Sequence, residues 1–162
     1  MKFKCTTELD LPLKTTVELF TEKSNLKYWQ KELVSTENTG GAPGKVGEVT
    51  KLKYKSVTII ETIISISDRI SEANGSFEIT GTYEHKRGEK TVMIHRATNR
   101  FSKVTENKTL FELEMEFVAF MGFIPKMMGM LMGGMVKKYY QSWLTQFKTF
   151  AEKQATIKAE MV

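Results

Sequence analysis

The sequence predicts an α+β fold, an antiparallel sheet of seven strands covered by one long C-terminal helix. Two segments carry most of this prediction. Thr109–Phe120 alternates strictly: Phe111, Leu113, Met115 and Phe117 fall on one face, and Glu112, Glu114 and Glu116 on the other. That is a strand with one greasy and one solvated face. From about Pro125 the period becomes helical. Met128, Met132, Met135, Tyr139, Trp143, Phe147 and Phe150 recur at steps of three and four, one apolar stripe over about seven turns. A one-faced sheet needs a cover and a one-striped helix needs a floor, so the two should pack on each other.

The remaining elements follow in chain order. Phe3, Cys5, Thr7 and Leu9 alternate with Lys2, Lys4, Thr6 and Glu8, a half-buried strand that Leu11-Pro12 breaks. Val17, Leu19 and Phe20, then Leu26, Tyr28 and Trp29, fit two short helices separated at Ser24-Asn25. Leu33–Thr39 reads as a strand and GGAPGKVG (Gly40–Gly47) as a loop. Glu48–Tyr54 and Val57–Ser67 flank Lys55-Ser56, the spacing of a tight hairpin. Asp68 is expected to break the second of these strands before Arg69–Glu72. Asn74-Gly75 signals a turn, and Phe77, Ile79 and Tyr83 alternate with Glu78, Thr80 and Glu84. The turn HKRGEK (His85–Lys90) leads into a long strand, Thr91–Val104, and TENK (Thr105–Lys108) precedes the last strand.

Composition narrows the function classes. A chain of 162 residues suits one domain, residues 1–162, with a sizeable core. With 41% hydrophobic and 27% charged residues it reads as an ordinary globular protein. The net charge of +5 is spread along the chain, and no basic run interleaves with aromatics, so nucleic acid is not an expected partner. One cysteine, Cys5, excludes an intramolecular disulfide. The N-terminus has no apolar signal-peptide core, so a reducing cytoplasm is the expected compartment.

Several segments together resemble the START/Bet v 1-like (SRPBCC) superfamily. They are Leu11-Pro12, NLKYWQKELVSTE (Asn25–Glu37), the glycine loop with Gly47, KYKSVTIIETIIS (Lys53–Ser65) and the Pro125–Glu152 helix. The order of elements is similar too, and the likeness is greatest to small bacterial members of the polyketide cyclase/dehydrase type. The resemblance spans nearly the whole chain and specifies fold better than function, since the superfamily includes lipid carriers, hormone receptors, cyclases, quinone-binding proteins and chaperone cofactors. It implies a helix-grip fold: a curved sheet wrapped around the long helix, with a cavity between them.

MGFIPKMMGMLMGGM (Met121–Met135) holds six of the ten methionines and four of the eleven glycines. A membrane span is long enough on paper, but Lys126 beside Pro125 falls at its centre, where a lysine costs about 2.5–3.5 kcal/mol. Transient contact with a membrane or partner surface is compatible with the patch. Met128-x-Met130-x-Met132 suggests a Cu(I) site, but residues two apart on a helix point to different sides, and no histidine lies nearby in sequence. Plain core and cavity lining remain. Gly133-Gly134 costs roughly 1 kcal/mol per glycine in a helix, and methionine favours adaptable binding surfaces. The resemblance adds weight to cavity lining.

In an antiparallel meander, Thr91–His95, Tyr83, His85, Tyr54 and Ile59 come to the end of the sheet where the long helix begins. The candidate ligand-binding residues are therefore Tyr54, Ile59, Tyr83, His95, Phe111, Leu113, Met115, Phe117, Met128, Met132 and Met135. Apolar walls with a few polar groups are the composition of a small-molecule pocket. His85 borders a charged turn and is expected in solvent. His95 shares a face with Met93 and Ala97 and is expected to point inward. Cys5 should be a small core residue, and Trp29 should tie the short helices to the sheet. No G-x-S-x-G, H-E-x-x-H or phosphate loop is present. One cysteine and two histidines cannot build a closed Cys/His zinc site, and no cofactor is expected. The leading expectation is non-catalytic binding of an apolar small molecule or lipid. The alternatives are a cyclase/dehydratase-like enzyme using a His95/Tyr83 acid–base pair, and a docking module built on the methionine segment.

Overall fold

The period-two segments become strands β1 (Lys2–Leu9), β2 (Leu33–Gly40), β3 (Val49–Tyr54), β4 (Thr58–Arg69), β5 (Ser76–Arg87), β6 (Lys90–Thr105) and β7 (Lys108–Phe120). In the computed structural model, which describes residues 1–122 and 133–162, they form one antiparallel sheet in the order β1-β7-β6-β5-β4-β3-β2. Helices α1 (Leu13–Thr21) and α2 (Leu26–Trp29), with a 3-10 turn at Lys23–Asn25 between them, follow β1. The C-terminal helix α3 is described over Gly133–Glu160. The expected helical turns at 125–132 lie outside the described residues. Among the described residues, no helix is long and apolar enough to cross a membrane.

Strand β4 does not break at Asp68. It continues to Arg69 and absorbs a register shift between Ile63 and Ser65. A bulge adds one residue to one strand and resets which side chains face inward. Accordingly Ile59, Glu61 and Ile63, then Ile66, Asp68 and Ile70, line the concave side. Strand β5 likewise outruns its expected end and carries His85 within it.

The concave face and α3 form the core. Phe101, Phe111, Phe147, Leu144, Leu9 and Trp29 are essentially inaccessible. Phe101 and Phe111 stack at 4.4 Å, and the Phe147 ring meets Phe111 edge-on at 5.8 Å. Phe20 of α1 fits among all three. The convex face carries the charges expected of it: Lys4 pairs with Glu112, Lys2 with Glu114, and Arg100 with Glu78 and Glu114. Such solvated pairs contribute little stability each.

The two ends of the sheet are treated differently. The outer edge of β1 is covered by α3: Gln141 Nε2 donates to the Thr6 carbonyl at 2.8 Å and Lys148 Nζ to the Glu8 carbonyl at 2.7 Å. Just past β1, the Asp10 N–H donates to Glu152 Oε1 at 2.9 Å. The edge strand β2 is exposed along most of its length. In the loop before β3, only glycine fits at position 41, because its φ is +69° and a Cβ there would meet the Gly47 carbonyl oxygen at 2.3 Å.

The apolar stripe of α3 is narrower than its sequence suggests. Leu144, Phe147, Phe150 and Ala151 are buried, whereas Met135 is 63% exposed. At about 100° per residue, twelve residues leave Met135 about 120° round the helix from Phe147. Steps of three and four therefore drift off the buried face over this distance. Met135 is not among the residues lining the cavity, which corrects its assignment as a wall residue.

Candidate ligand-binding cavity

Between the concave sheet, the short helices and α3 lies a cavity of about 1670 Å³. Strand alternation sets its walls. Leu52 and Tyr54 come from β3, Ile79 and Tyr83 from β5, Ala97 from β6, and Leu113 and Met115 from β7. Tyr140 and Trp143 close it from α3, and Phe20 and Trp29 from the short helices. Of the residues expected at the site, Tyr54, Ile59, Tyr83, His95, Leu113 and Met115 line this space. Phe111 belongs instead to the aromatic core, wholly buried behind Phe20. Phe117 is also off the wall, packed 5.8 Å from the His95 ring. Met128 and Met132 lie outside the described residues.

One cluster of polar wall groups centres on His95. His95 is 3% exposed and stacks on Tyr83, with ring centroids 4.8 Å apart and planes 5° apart. Gly81 permits this, because a Cβ there would press on the Tyr83 ring at 3.2–3.3 Å. The expected His95/Tyr83 pair is therefore a stack. The hydrogen-bond partner of His95 is His85, Nε2 of His85 lying 3.0 Å from Nδ1 of His95. This corrects the expectation that His85 is solvent-exposed. Because β5 runs on to Arg87, alternation places His85 on the same face as Tyr83. Burial lowers the pKa of His85 to about 4. Burial, then the neighbouring His85, lowers that of His95 to about 3. Both rings are therefore neutral at pH 7.

Glu61 was not anticipated. It is 8% exposed, lines the cavity and forms an ion pair with Lys23 of the 3-10 turn. The Tyr83 hydroxyl lies beside it, and burial first, then the Glu61 charge, raises the Tyr83 pKa well above the phenol range. Burial likewise raises Tyr54 and Tyr140. The Tyr54 hydroxyl donates to Gln30 Oε1. Near the aromatic core, Trp29 Nε1 and Asn99 Oδ1 are buried with no hydrogen-bond partner among the described residues. The sequence did carry a signal for Glu61 and Asn99. Each has the parity of its apolar concave neighbours, Ile59 and Ile63 for one, Ala97 and Phe101 for the other.

Cys5 is a free, buried thiol whose pKa burial raises, with Sγ 3.6 Å from the Lys137 carbonyl oxygen. It is a packing residue rather than an activated nucleophile. Among the described residues, no group of three or more His, Cys, Asp or Glu could hold a metal ion.

No protein-family model and no curated protein matches this chain. Solved structures do. A hypothetical protein of Helicobacter pylori superposes with a TM-score of 0.70 at 8% identity, covering 92% of this chain and 88% of that one. A START superfamily protein from Mycobacterium smegmatis gives 0.65 at 12% identity, over 94% of this chain and 95% of that one. Ara h 8.0201, a Bet v 1-like protein, gives 0.63 at 13% identity, over 93% and 97%. The chain has the START/Bet v 1 fold. At these identities the likeness shows fold alone, and function has to be argued from the site itself. Here the wall combines apolar side chains from the sheet, Leu52, Ile59, Ile79, Leu113 and Met115, with a His–His–Tyr cluster and the Lys23–Glu61 ion pair.

Proposed function

We propose that this protein binds an apolar small molecule or lipid between the sheet and α3, without catalysing a reaction. The cavity volume of about 1670 Å³ carries the proposal. Protein interiors are packed like organic crystals, with few voids larger than a water molecule. Pockets for drug-sized ligands run to roughly 300–1,000 Å³. A space larger than that, walled by Leu52, Ile59, Ile79, Leu113 and Met115, suits a ligand of lipid size. The bridge from Lys23 to Glu61 ties the short helices to β4 across the cavity wall, which supports retention of a bound molecule. A reducing cytoplasm suits the single thiol.

The test is native mass spectrometry of the protein purified from its own host, followed by organic extraction. The expected result is a reproducible bound apolar mass. That mass should be lost in Ile79→Trp, which fills the cavity from the sheet side. A ligand-free mass, together with no thermal shift across a panel of lipids and quinones, would overturn the reading.

A further inference from the structure

The His85–His95 pair on the wall of this cavity points to the chemistry of the ligand's own polar group, an inference that rests on the binding reading above. His85 and His95 are diagonal neighbours on β5 and β6, and their rings meet Nε2 to Nδ1 at 3.0 Å. A neutral imidazole has one N–H and one bare nitrogen. A hydrogen bond between two neutral rings uses one of each, and leaves one of each on the outer nitrogens, His85 Nδ1 and His95 Nε2. Two arrangements satisfy the contact equally. When His85 Nε2–H donates, His95 Nε2 carries a hydrogen. When His95 Nδ1–H donates, His95 Nε2 is bare. Passing from the first to the second, one proton leaves His95 Nε2, the shared proton crosses the 3.0 Å contact, and one proton arrives at His85 Nδ1. No net charge forms in either state.

The surroundings fix the rings without fixing the proton. His95 is held flat on Tyr83, with Phe117 and Tyr140 at its edges. Among the described residues, His95 Nε2 has no protein partner, and His95 lines the cavity. The buried carboxylates of the wall are occupied already, Glu61 by Lys23 and Glu48 by the Gly44 N–H and Thr50. The other lysines that line the cavity, Lys14, Lys31 and Lys45, are solvent-exposed, so among the described residues the wall offers no free buried cation to a carboxylate ligand.

We propose that His95 Nε2 holds a neutral oxygen of the bound molecule, a hydroxyl or a carbonyl, and that the His85–His95 pair switches tautomer to match it. The ligand class is then an alcohol, phenol or ketone with an apolar body. Three probes sharing one naphthalene body test this: 2-naphthol, a strong donor, 2-acetonaphthone, an acceptor, and naphthalene, which is neither. The two oxygen probes are expected to bind about tenfold more tightly than naphthalene, the factor that one added neutral hydrogen bond supplies. Imidazole 15N spectra should show His95 Nε2 bare with 2-naphthol and protonated with 2-acetonaphthone. His95→Phe keeps the stack on Tyr83 and should remove the tenfold advantage of both oxygen probes over naphthalene. Equal binding of the three by the native protein, or one tautomer with both oxygen probes, would overturn the proposal and leave the cavity reading intact. Binding of none of the three would overturn both. If His95→Phe fails to fold, the native-protein comparison and spectra still decide.

Discussion

The two ends of β6 and β7 are built from different materials. At one end Phe101 and Phe111 stack, closed over by Phe20 and Phe147, and this cluster is nearly all hydrocarbon. Six residues back along β6, the same concave face carries His95, stacked on Tyr83 and bonded to His85, beside an open space. Hydrocarbon packed at close contact stabilises without needing partners. Buried imidazoles, phenols and a carboxylate stabilise only when each partner is supplied. One pair of strands thus carries close-packed hydrocarbon at one end and, at the other, a polar cluster beside open space, where we propose that recognition takes place.

Substitutions can break or sharpen this contrast. The largest effect is expected from Phe111→Ala at the packed end, a loss of about 3–5 kcal/mol measured by urea unfolding. That corresponds to a fall in Tm of roughly 10 °C or more for a chain of this size. Acid should act next, and at the other end. Burial holds His85 and His95 at about 4 and about 3, below the ordinary 6.5. Above pH 6.5 neither the folded nor the unfolded chain binds these protons, so their stabilising term is fully present. Below it the unfolded chain takes them up and the folded chain does not, until the pH reaches the folded values. Stability should fall over this window, by about 2 kcal/mol per histidine at pH 5. His95→Phe should remove about half of that pH dependence in thermal unfolding curves, and an unchanged curve would refute the burial argument.

Lys23→Met is expected to cost roughly 1–2 kcal/mol, because it leaves the Glu61 carboxylate buried without its cation. The double variant Lys23→Met/Glu61→Gln should recover part of this loss, and a double variant no better than the single one would place the loss elsewhere. The smallest effect is expected from Met135→Ser. Its exposure predicts a stability change within about 0.5 kcal/mol. Retention of bound ligand should be unaltered, and a loss of ligand would restore Met135 to the wall.

How legible these features were depended on where strands stop. The alternation of Phe111 to Phe117 against Glu112 to Glu116 needs no tertiary knowledge, and it fixed the inward face of β7. His85 was misplaced because HKRGEK has turn chemistry. The strand nevertheless runs on to Arg87, held by pairing with β6 that no local propensity records. Asp68 misled for a similar reason, since β4 absorbs a register shift and continues. Glu61 was overlooked because charge suggests solvent, although its parity with Ile59 and Ile63 pointed inward and Lys23, thirty-eight positions away, supplies its counter-ion. Met135 was misassigned because a stripe in sequence drifts around a real helix of 3.6 residues per turn.

The strand order also sets a schedule for synthesis. Each strand from β3 to β7 pairs with the one made just before it, so this meander can zip as it leaves the ribosome. The first strand cannot join in. Lys2 pairs with Glu116, and α3, made later still, lays Gln141 and Lys148 along its other edge. Closure between such distant segments is the slow kind of contact. A nascent chain halted before Lys108 would leave β1 without β7, its strand partner, and β6 with a bare edge.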